Sequence, residues 1–134
     1  MHDSGNEPSQ HTNLYFAGRA VAGVLAHPAE TANKYLEVSS FNPSQNDIVR
    51  ALEEFTGATW TINRVDTKEL QKQGEEKVAK GDFSAFPALL SVVQYQDGIG
   101  NAPGPGVRAN ELLGLPGEED LRAQLKAWVE KNAA

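Results

Sequence analysis

The sequence of 134 residues contains no cysteine. Disulfide bonds, thiolate nucleophiles and cysteine-ligated zinc are therefore excluded. It also lacks an excess of positive charge, since 12 Lys and Arg residues stand against 18 Asp and Glu residues, for a formal net charge of −6. With no basic patch, neither nucleic acid nor an acidic membrane surface is expected as a partner.

Long hydrophobic runs are missing as well. The longest apolar stretch, residues 20–26, contains Gly23 and is far too short to cross a bilayer. The segment MHDSGNEP at the beginning has neither the basic nor the apolar region of a signal peptide. We therefore expect a cytoplasmic protein. Its length and its 40% hydrophobic content are typical of one globular domain.

Capping residues and apolar spacing predict about five helices. Thr12 or Asn13 is placed to cap the first helix, which should end near His27 because Pro28 disfavours helical geometry in the residue before it. The residues expected on its buried stripe are Leu14, Ala17, Val21 and Val24.

The second helix has a boundary signal at each end. Ser44 and Asp47 form a capping pair at its start, and Gly57 stands where a left-handed residue is favoured at its end. The core-facing residues expected are Ile48, Leu52 and Phe55. Asp66 and Glu69 begin a third helix in the same way, which ends at Gly81.

Two further helices complete the prediction. Ser84 opens the fourth, and its expected buried side consists of Phe86, Leu89, Leu90 and Val93. Residues 96–106 contain four glycines and two prolines, which is typical of a loop. The last helix covers residues 118–132, with an apolar side of Leu121, Leu125, Trp128 and Val129.

Strands are few in this prediction. Residues 35–39 and 59–65 are rich in β-forming side chains, and residues 1–12 have the composition of a loop. Two strands rarely make a stable sheet without further strands or another body to pack on. The predicted organisation is thus an N-terminal loop followed by one domain over residues 13–134.

No complete catalytic constellation is visible. The segment Gly98–Gly104 is one residue off the dinucleotide-binding fingerprint, but Pro103 and Pro105 prevent the helix whose N-terminus would bind phosphate. The histidines at positions 2, 11 and 27 lack metal-ligand spacing, and no Gly-x-Ser-x-Gly motif is present. Solvated histidines are the simpler interpretation.

Aromatic residues offer the best candidates for a binding site. Phe41, Phe83, Phe86 and Tyr95 flank predicted loops or an amphipathic helix, where they could line an apolar pocket. Ordinary core packing explains Phe86 at least as well. Composition and spacing alone therefore do not define a function.

Eight segments in order carry a family resemblance. They are Thr12–Leu14, Ala20–Pro28, Glu30–Tyr35, Val38–Phe41, Ser44–Asn46, Ala51–Glu53, Lys80–Ser84 and Asn110–Pro116. Their order and spacing resemble the C-terminal half of the NmrA-like and isoflavone-reductase-like proteins, especially the fungal ones. The resemblance extends over nearly the whole chain.

This resemblance implies an α/β fold. The chain would be the helix-rich C-terminal, substrate-side portion of a Rossmann-type atypical short-chain reductase, with about five helices and two to three strands. In that family a glycine-rich turn of the N-terminal half binds NADP(H), and a lysine there is associated with proton transfer. Neither maps onto this sequence, so the resemblance assigns no catalytic or cofactor-binding residue, and we expect no metal and no NADP(H) binding by this chain alone. What it implies is substrate-pocket lining by Phe41, Phe83, Phe86 and Tyr95.

Two functional hypotheses follow from the resemblance. The first is a truncated NADP(H)-dependent oxidoreductase that acts on a small, possibly aromatic or polyketide-derived metabolite. The second is a non-enzymatic NmrA-like regulatory or interaction module. In either case residues 35–39 would join the edge of a larger sheet, and that edge would be exposed to a protein partner in the chain by itself. A gene-model fragment with no independent role is a further alternative.

Overall fold

A computed structural model describes residues 1–100 and 108–132. Over these residues the chain forms six α-helices and one 3₁₀ turn. The α-helices are α1 (Leu14–Ala26), α2 (Pro28–Thr31), α3 (Gln45–Thr56), α4 (Thr67–Ala79), α5 (Phe86–Tyr95) and α6 (Leu121–Asn132), and the 3₁₀ turn covers Phe83–Ala85. The predicted loop at 96–106 lies partly outside the described residues. No helix within the described ranges combines the length and apolar character needed to span a membrane.

The predicted caps fix the helix boundaries. The Asn13 side chain accepts a hydrogen bond from the Phe16 amide at 2.7 Å, and α1 ends immediately before His27. At α3, the Ser44 hydroxyl accepts from the Asp47 amide while the Asp47 carboxylate accepts from the Ser44 amide, which completes a capping box. Gly57 follows with φ 66°, the left-handed value predicted for it.

The start of α4 is capped as expected. The Asp66 carboxylate accepts a hydrogen bond from the Glu69 amide at 3.0 Å. The helix ends at Ala79, and Gly81 follows with φ 77°. The fourth predicted helix begins later than Ser84, because residues 83–85 form the 3₁₀ turn and regular α-helix starts at Phe86.

The two predicted strands were wrong. The described residues contain only two isolated β-bridges, one between His2 and Val65 and one between His11 and Phe41. Residues 35–39 bond instead to loops and side chains: the Glu37 carbonyl accepts from the Ala109 amide, and the Val38 carbonyl accepts from the Thr12 hydroxyl. At these two carbonyls a loop amide and a side chain stand in place of a neighbouring strand. The helix-rich part of the fold prediction is confirmed.

The buried faces of α1 and α5 also differ from the prediction. In α1 the buried residues are Phe16, Ala20 and Gly23, whereas Leu14 is 90% exposed. In α5 Val92 is buried and Leu89 is half-buried. The residues predicted to be buried there but found exposed are Phe86, Leu90 and Val93. Both helices carry apolar residues on more than one side, so periodicity did not identify the side that faces the core.

The buried faces of α3 and α6 agree better with the prediction. In α3 Ala51 is buried, and the predicted Ile48, Leu52 and Phe55 are half-buried. In α6 Leu121, Leu125 and Val129 are half-buried, whereas Trp128 is 60% exposed.

The hydrophobic core lies between α1 and the turn that precedes α6. Phe16 and Ala20 from α1 pack with Leu113 and Leu115 from this turn. Around them lie the half-buried side chains of Val24, Leu36, Val38 and Ala109. The approach is close because α1 presents Gly23: a Cβ atom there would lie 2.6 Å from the Leu113 carbonyl oxygen.

Candidate functional site

The irregular N-terminal segment places two imidazoles on the ring of Tyr95. Tyr95 is the last residue of α5, and its ring centroid lies 5.3 Å from that of His2 and 6.4 Å from that of His11. The interplanar angles of 17° and 30° define stacked arrangements. A predicted pocket residue therefore contacts two histidines that the sequence left as solvated side chains.

His11 also forms a pair with a serine. Its Nε2 atom lies 2.6 Å from the Ser9 hydroxyl. This is the spacing of a nucleophile and its general base. Ser9 is completely buried, so a substrate cannot reach its hydroxyl from solvent. The pair serves to hold the N-terminal segment, and the backbone of His11 adds hydrogen bonds to Phe41.

Both imidazoles are less easily protonated than a solvated histidine. Burial removes water from His2 and lowers its pKa, and the charged N-terminal amine nearby lowers it further. Burial alone lowers the pKa of His11. The rings that face Tyr95 are thus biased toward the neutral form, which can act as a hydrogen-bond donor and acceptor.

A pocket of about 410 Å³ opens beside His2. The residues that line it are Met1, His2, Gln45, Ile48, Val49, Thr61, Ile62 and Asn63. Its walls are mostly apolar, and the Gln45 side-chain amide, 3.0 Å from His2 Nδ1, is among the few polar groups. This size and chemistry suit a small, largely apolar ligand.

Phe41 lies at a second pocket. It is buried and borders a space of about 230 Å³ between the start of α3 and the start of α6. The other lining residues are Asn42, Pro43, Asp47, Glu118, Glu119 and Leu121. A hydrogen bond from the Arg108 guanidinium holds the pKa of Glu118 below its usual value, so this pocket has an acidic rim.

Phe83 and Phe86 lie away from both histidines. Their rings stack on each other with centroids 5.9 Å apart and remain 63% and 50% exposed. Phe86 is at the start of α5 and Tyr95 at its end, a separation of about 13 Å along the helix. The four residues predicted to line one pocket therefore occupy at least two separate places.

The Glu7 carboxylate binds backbone amides at the start of the glycine-rich segment. The two oxygens of Glu7 accept hydrogen bonds from the amides of Gly98 and Gly100, each at 2.8 Å. Paired backbone amides of this kind make an anion-binding concavity. In this chain the anion is the Glu7 side chain.

Asn110 is the important residue that sequence reasoning missed. It is 2% exposed, and its side-chain amide donates to the carbonyls of Ser39, Pro116 and Gly117, while its oxygen accepts from the Ser39 amide. Asn110 belongs to one of the segments that carry the family resemblance, which was the available signal. Nearby, Arg108 donates to the Ser39 hydroxyl and to Glu118. Among residues 1–100 and 108–132 no cluster of His, Asp and Glu has the geometry of a metal site.

Comparison with known proteins relates the chain to fungal oxidoreductases. Over 121 residues it is 32% identical to oxidoreductase poxI of Penicillium oxalicum, a match that covers 88% of this chain and 38% of the relative. Over 115 residues it is 31% identical to oxidoreductase aprR of Aspergillus flavus, which covers 85% of this chain and 39% of the relative.

The chain spans less than two-fifths of the length of these curated relatives. It is therefore homologous to one segment of two proteins named oxidoreductases. No protein-family profile matches it, and no solved structure shows significant similarity.

Proposed function

We propose that this chain forms the substrate-side region of an NmrA-like, isoflavone-reductase-like oxidoreductase. Its similarity to poxI along 88% of its own length carries the proposal. In this proposal a Rossmann-type region, corresponding to the part of the relatives outside the match, binds NADP(H). The cofactor then supplies hydride chemistry, and the present chain binds and orients the substrate. A cytoplasmic location belongs to the same proposal.

The pocket beside His2 is the proposed substrate surface. Ile48, Val49 and Ile62 supply an apolar wall, and the amides of Gln45 and Asn63 supply hydrogen-bonding groups. A small aromatic or polyketide-derived metabolite has the matching combination of an apolar body and a few oxygen atoms. Near its rim, the neutral imidazole of His2 stacks on Tyr95 and fixes the position of the N-terminal segment.

A chimera tests this function. A panel of small aromatic carbonyl compounds is first tested for NADPH oxidation by poxI itself, and the compounds that react are taken as its substrates. Replacing the matched segment of poxI with this chain should give a protein that binds NADPH and oxidises it with the same compounds. The 134-residue chain alone should do neither. A chimera that binds NADPH but reduces no poxI substrate would contradict the proposed substrate-side role.

A matched pair of variants in the chimera locates the substrate surface. Ile62→Asp places a charge in the pocket and should raise KM for the reduced compound at least tenfold. Trp128→Asp places the same charge on α6, away from the pocket, and should leave KM unchanged. An unchanged KM in Ile62→Asp would exclude this pocket.

The second candidate function is a non-enzymatic interaction module. Exposed apolar side chains on α1, including Leu14 at 90% and Leu25 at 76% exposure, favour a protein contact. The two candidates differ in the chimera, because an interaction module needs no NADPH oxidation.

A further inference from the structure

Helix α1 is apolar on two opposite faces. One face contributes Phe16, Ala20 and Gly23 to the interior. The other face carries Leu14, Leu25 and Val21, which are 90%, 76% and 62% exposed. A helix that is apolar all round is normally covered on every side.

The exposed face has the spacing of a packing seam. We use the name α1 seam for the row of four residues Leu14, Gly18, Val21 and Leu25. They follow one another at intervals of four, three and four residues. This alternation is the one by which a helix packs side by side with a second element. A Cβ atom at Gly18 would meet nothing within 4 Å, so the seam has an open notch at its centre. Arg19 is the sole charged residue of α1.

A second copy of this chain is a poor occupant for the seam. The seam consists of four residues along the 13-residue helix α1. A stable complex between separate proteins usually needs about 20–30 residues from each partner. Two copies with a formal charge of −6 each would also repel one another.

A polypeptide joined to this region in the same protein is a better occupant. Within one chain the effective concentration is high, so a patch of this size is enough to hold two regions together. The relatives poxI and aprR contain such additional polypeptide, since the match covers 38% and 39% of them. The occupant must be apolar, because the seam offers no charge other than the neighbouring Arg19 to pair with.

We propose that the α1 seam docks against the region that corresponds to the unmatched part of these oxidoreductases. The proposal rests on the function proposed above and names the surface through which the substrate-side region joins the rest of the protein. The interface is apolar, and Leu14, Val21 and Leu25 are its anchors.

The absence of cysteine from this chain provides a direct test. Val21→Cys introduces a thiol in the seam, and Lys126→Cys introduces one on α6, where the native side chain is also 62% exposed. Each variant is prepared in the isolated chain and in the poxI chimera. The rate of maleimide labelling at the new cysteine is then measured by peptide mass spectrometry.

We expect Cys labelling at position 21 to be at least tenfold slower in the chimera than in the isolated chain. Labelling at position 126 should be equally fast in both. Equal rates at position 21 would overturn the proposal. So would light scattering that shows a dimer of the isolated chain in which position 21 is already protected, because the occupant would then be a second copy.

The labelling experiment can refute the docking surface without refuting the proposed function, and the reverse is also possible. An active chimera with an unprotected position 21 refutes the docking surface and leaves the function standing. A protected position 21 without turnover supports the docking surface and counts against the function. If the chimera aggregates, the same labelling is carried out on poxI with cysteine at the position aligned with Val21, and protection or reactivity there decides the proposal in the same way.

Discussion

Gly23 and Leu113 bring α1 and the turn before α6 into backbone contact: a Cβ atom on Gly23 would lie 2.6 Å from the Leu113 carbonyl oxygen and 2.9 Å from its Cβ. No flexible side-chain end can move away to make room, because the first of these atoms is backbone. The contact closes the core around Phe16.

Gly23→Ala should create a clash that costs about 1–3 kcal/mol, against a gain of about 1 kcal/mol from replacing glycine in a helix, so the chain should be destabilised by up to about 2 kcal/mol. The measurement is the free energy of unfolding in urea. Gly18→Ala is the matched control in the same helix, and it should stabilise by about 0.5–1 kcal/mol because nothing lies within 4 Å of its Cβ. Stabilisation by both substitutions would contradict this close approach.

Asn110→Ala should destabilise the chain by about 2–4 kcal/mol. The substitution leaves the buried carbonyl of Ser39 without its side-chain donor and also removes the bonds to Pro116 and Gly117. Asn132→Ala, which removes an exposed amide that donates to the Trp128 carbonyl, should change stability by less than about 0.5 kcal/mol. Thermal unfolding followed by circular dichroism compares the two, and equal midpoints would argue against a structural role for Asn110.

Asp3 should contribute stability that is lost in acid. Burial by itself would raise the pKa of Asp3, but hydrogen bonds from the hydroxyl and amide of Thr67 and from the Asp97 amide outweigh it and lower this pKa. A lowered pKa in the folded state gives stability that is present above the unfolded value of about 3.9 and disappears as the pH falls through the folded value.

Asp3→Asn tests this linkage. The variant should be less stable than the parent at neutral pH, and the difference should shrink as the pH falls below about 4. Urea unfolding at several pH values gives the comparison. A difference that does not depend on pH would mean that the charge of Asp3 is unimportant.

His2 and His11 should make the stability depend on pH in a higher range than Asp3 does. The folded-state pKa values of both His2 and His11 are lowered, so between the folded values and about 6.5 the unfolded chain binds more protons than the folded one. Stability is therefore complete above about pH 7 and falls as the pH drops through 6.5 toward the folded pKa values.

The double variant His2→Gln/His11→Gln should lose much of this dependence. We expect the unfolding midpoint of the parent to decrease between about pH 7.5 and about pH 5 by more than that of the variant. Differential scanning calorimetry at the two pH values makes the measurement. An equal decrease in parent and variant would assign the effect to other groups.

The boundaries of α3 and the start of α4 were predictable because their causes are local, whereas α5 and α6 begin two to three residues later than predicted. Ser44 and Asp47, three residues apart, form their capping box with backbone groups of the same turn, and Gly57 ends the helix through its own left-handed conformation. Asp66 with Glu69 works in the same way at α4. No distant residue has to be known for these assignments.

The strands and the buried faces depend on distant partners. Residues 35–39 are bonded by Thr12, Ala109 and Asn110, which no local pattern reveals. In α1 both Leu14 and Phe16 are apolar, and the packing of Phe16 with distant residues such as Leu113 and Leu115 determines which of them faces the interior. The β-forming residues 59–65 are exposed and residues 36–38 are half-buried, and neither segment forms a ladder in the described part of the chain, so β-propensity alone did not indicate a sheet.

The candidate site was likewise predictable only in part, because some of its contacts join distant residues. The aromatic character of Phe41 and Tyr95 was visible in the sequence, but the stacking of Tyr95 on His2 joins residues 93 positions apart. The 410 Å³ pocket similarly joins Met1 and His2 to residues 61–63, beyond the reach of any motif.

The N-terminal segment also has a consequence for the order of folding. Glu7 binds Gly98 and Gly100, and Ser4 binds Asp97, so these contacts close loops of more than 90 residues. Closing such a loop is entropically costly, whereas capped helices such as α3 and α4 form from neighbouring residues. The core joins Phe16 to Leu113 over a loop that is just as long, so exposure determines which contact opens first: the hydrogen bonds of Glu7 and Ser4 are exposed, whereas Phe16 is fully buried, and the segment should detach before the core opens. Amide hydrogens at Gly98 and Gly100 would then exchange through this detachment, well before the core around Phe16 opens.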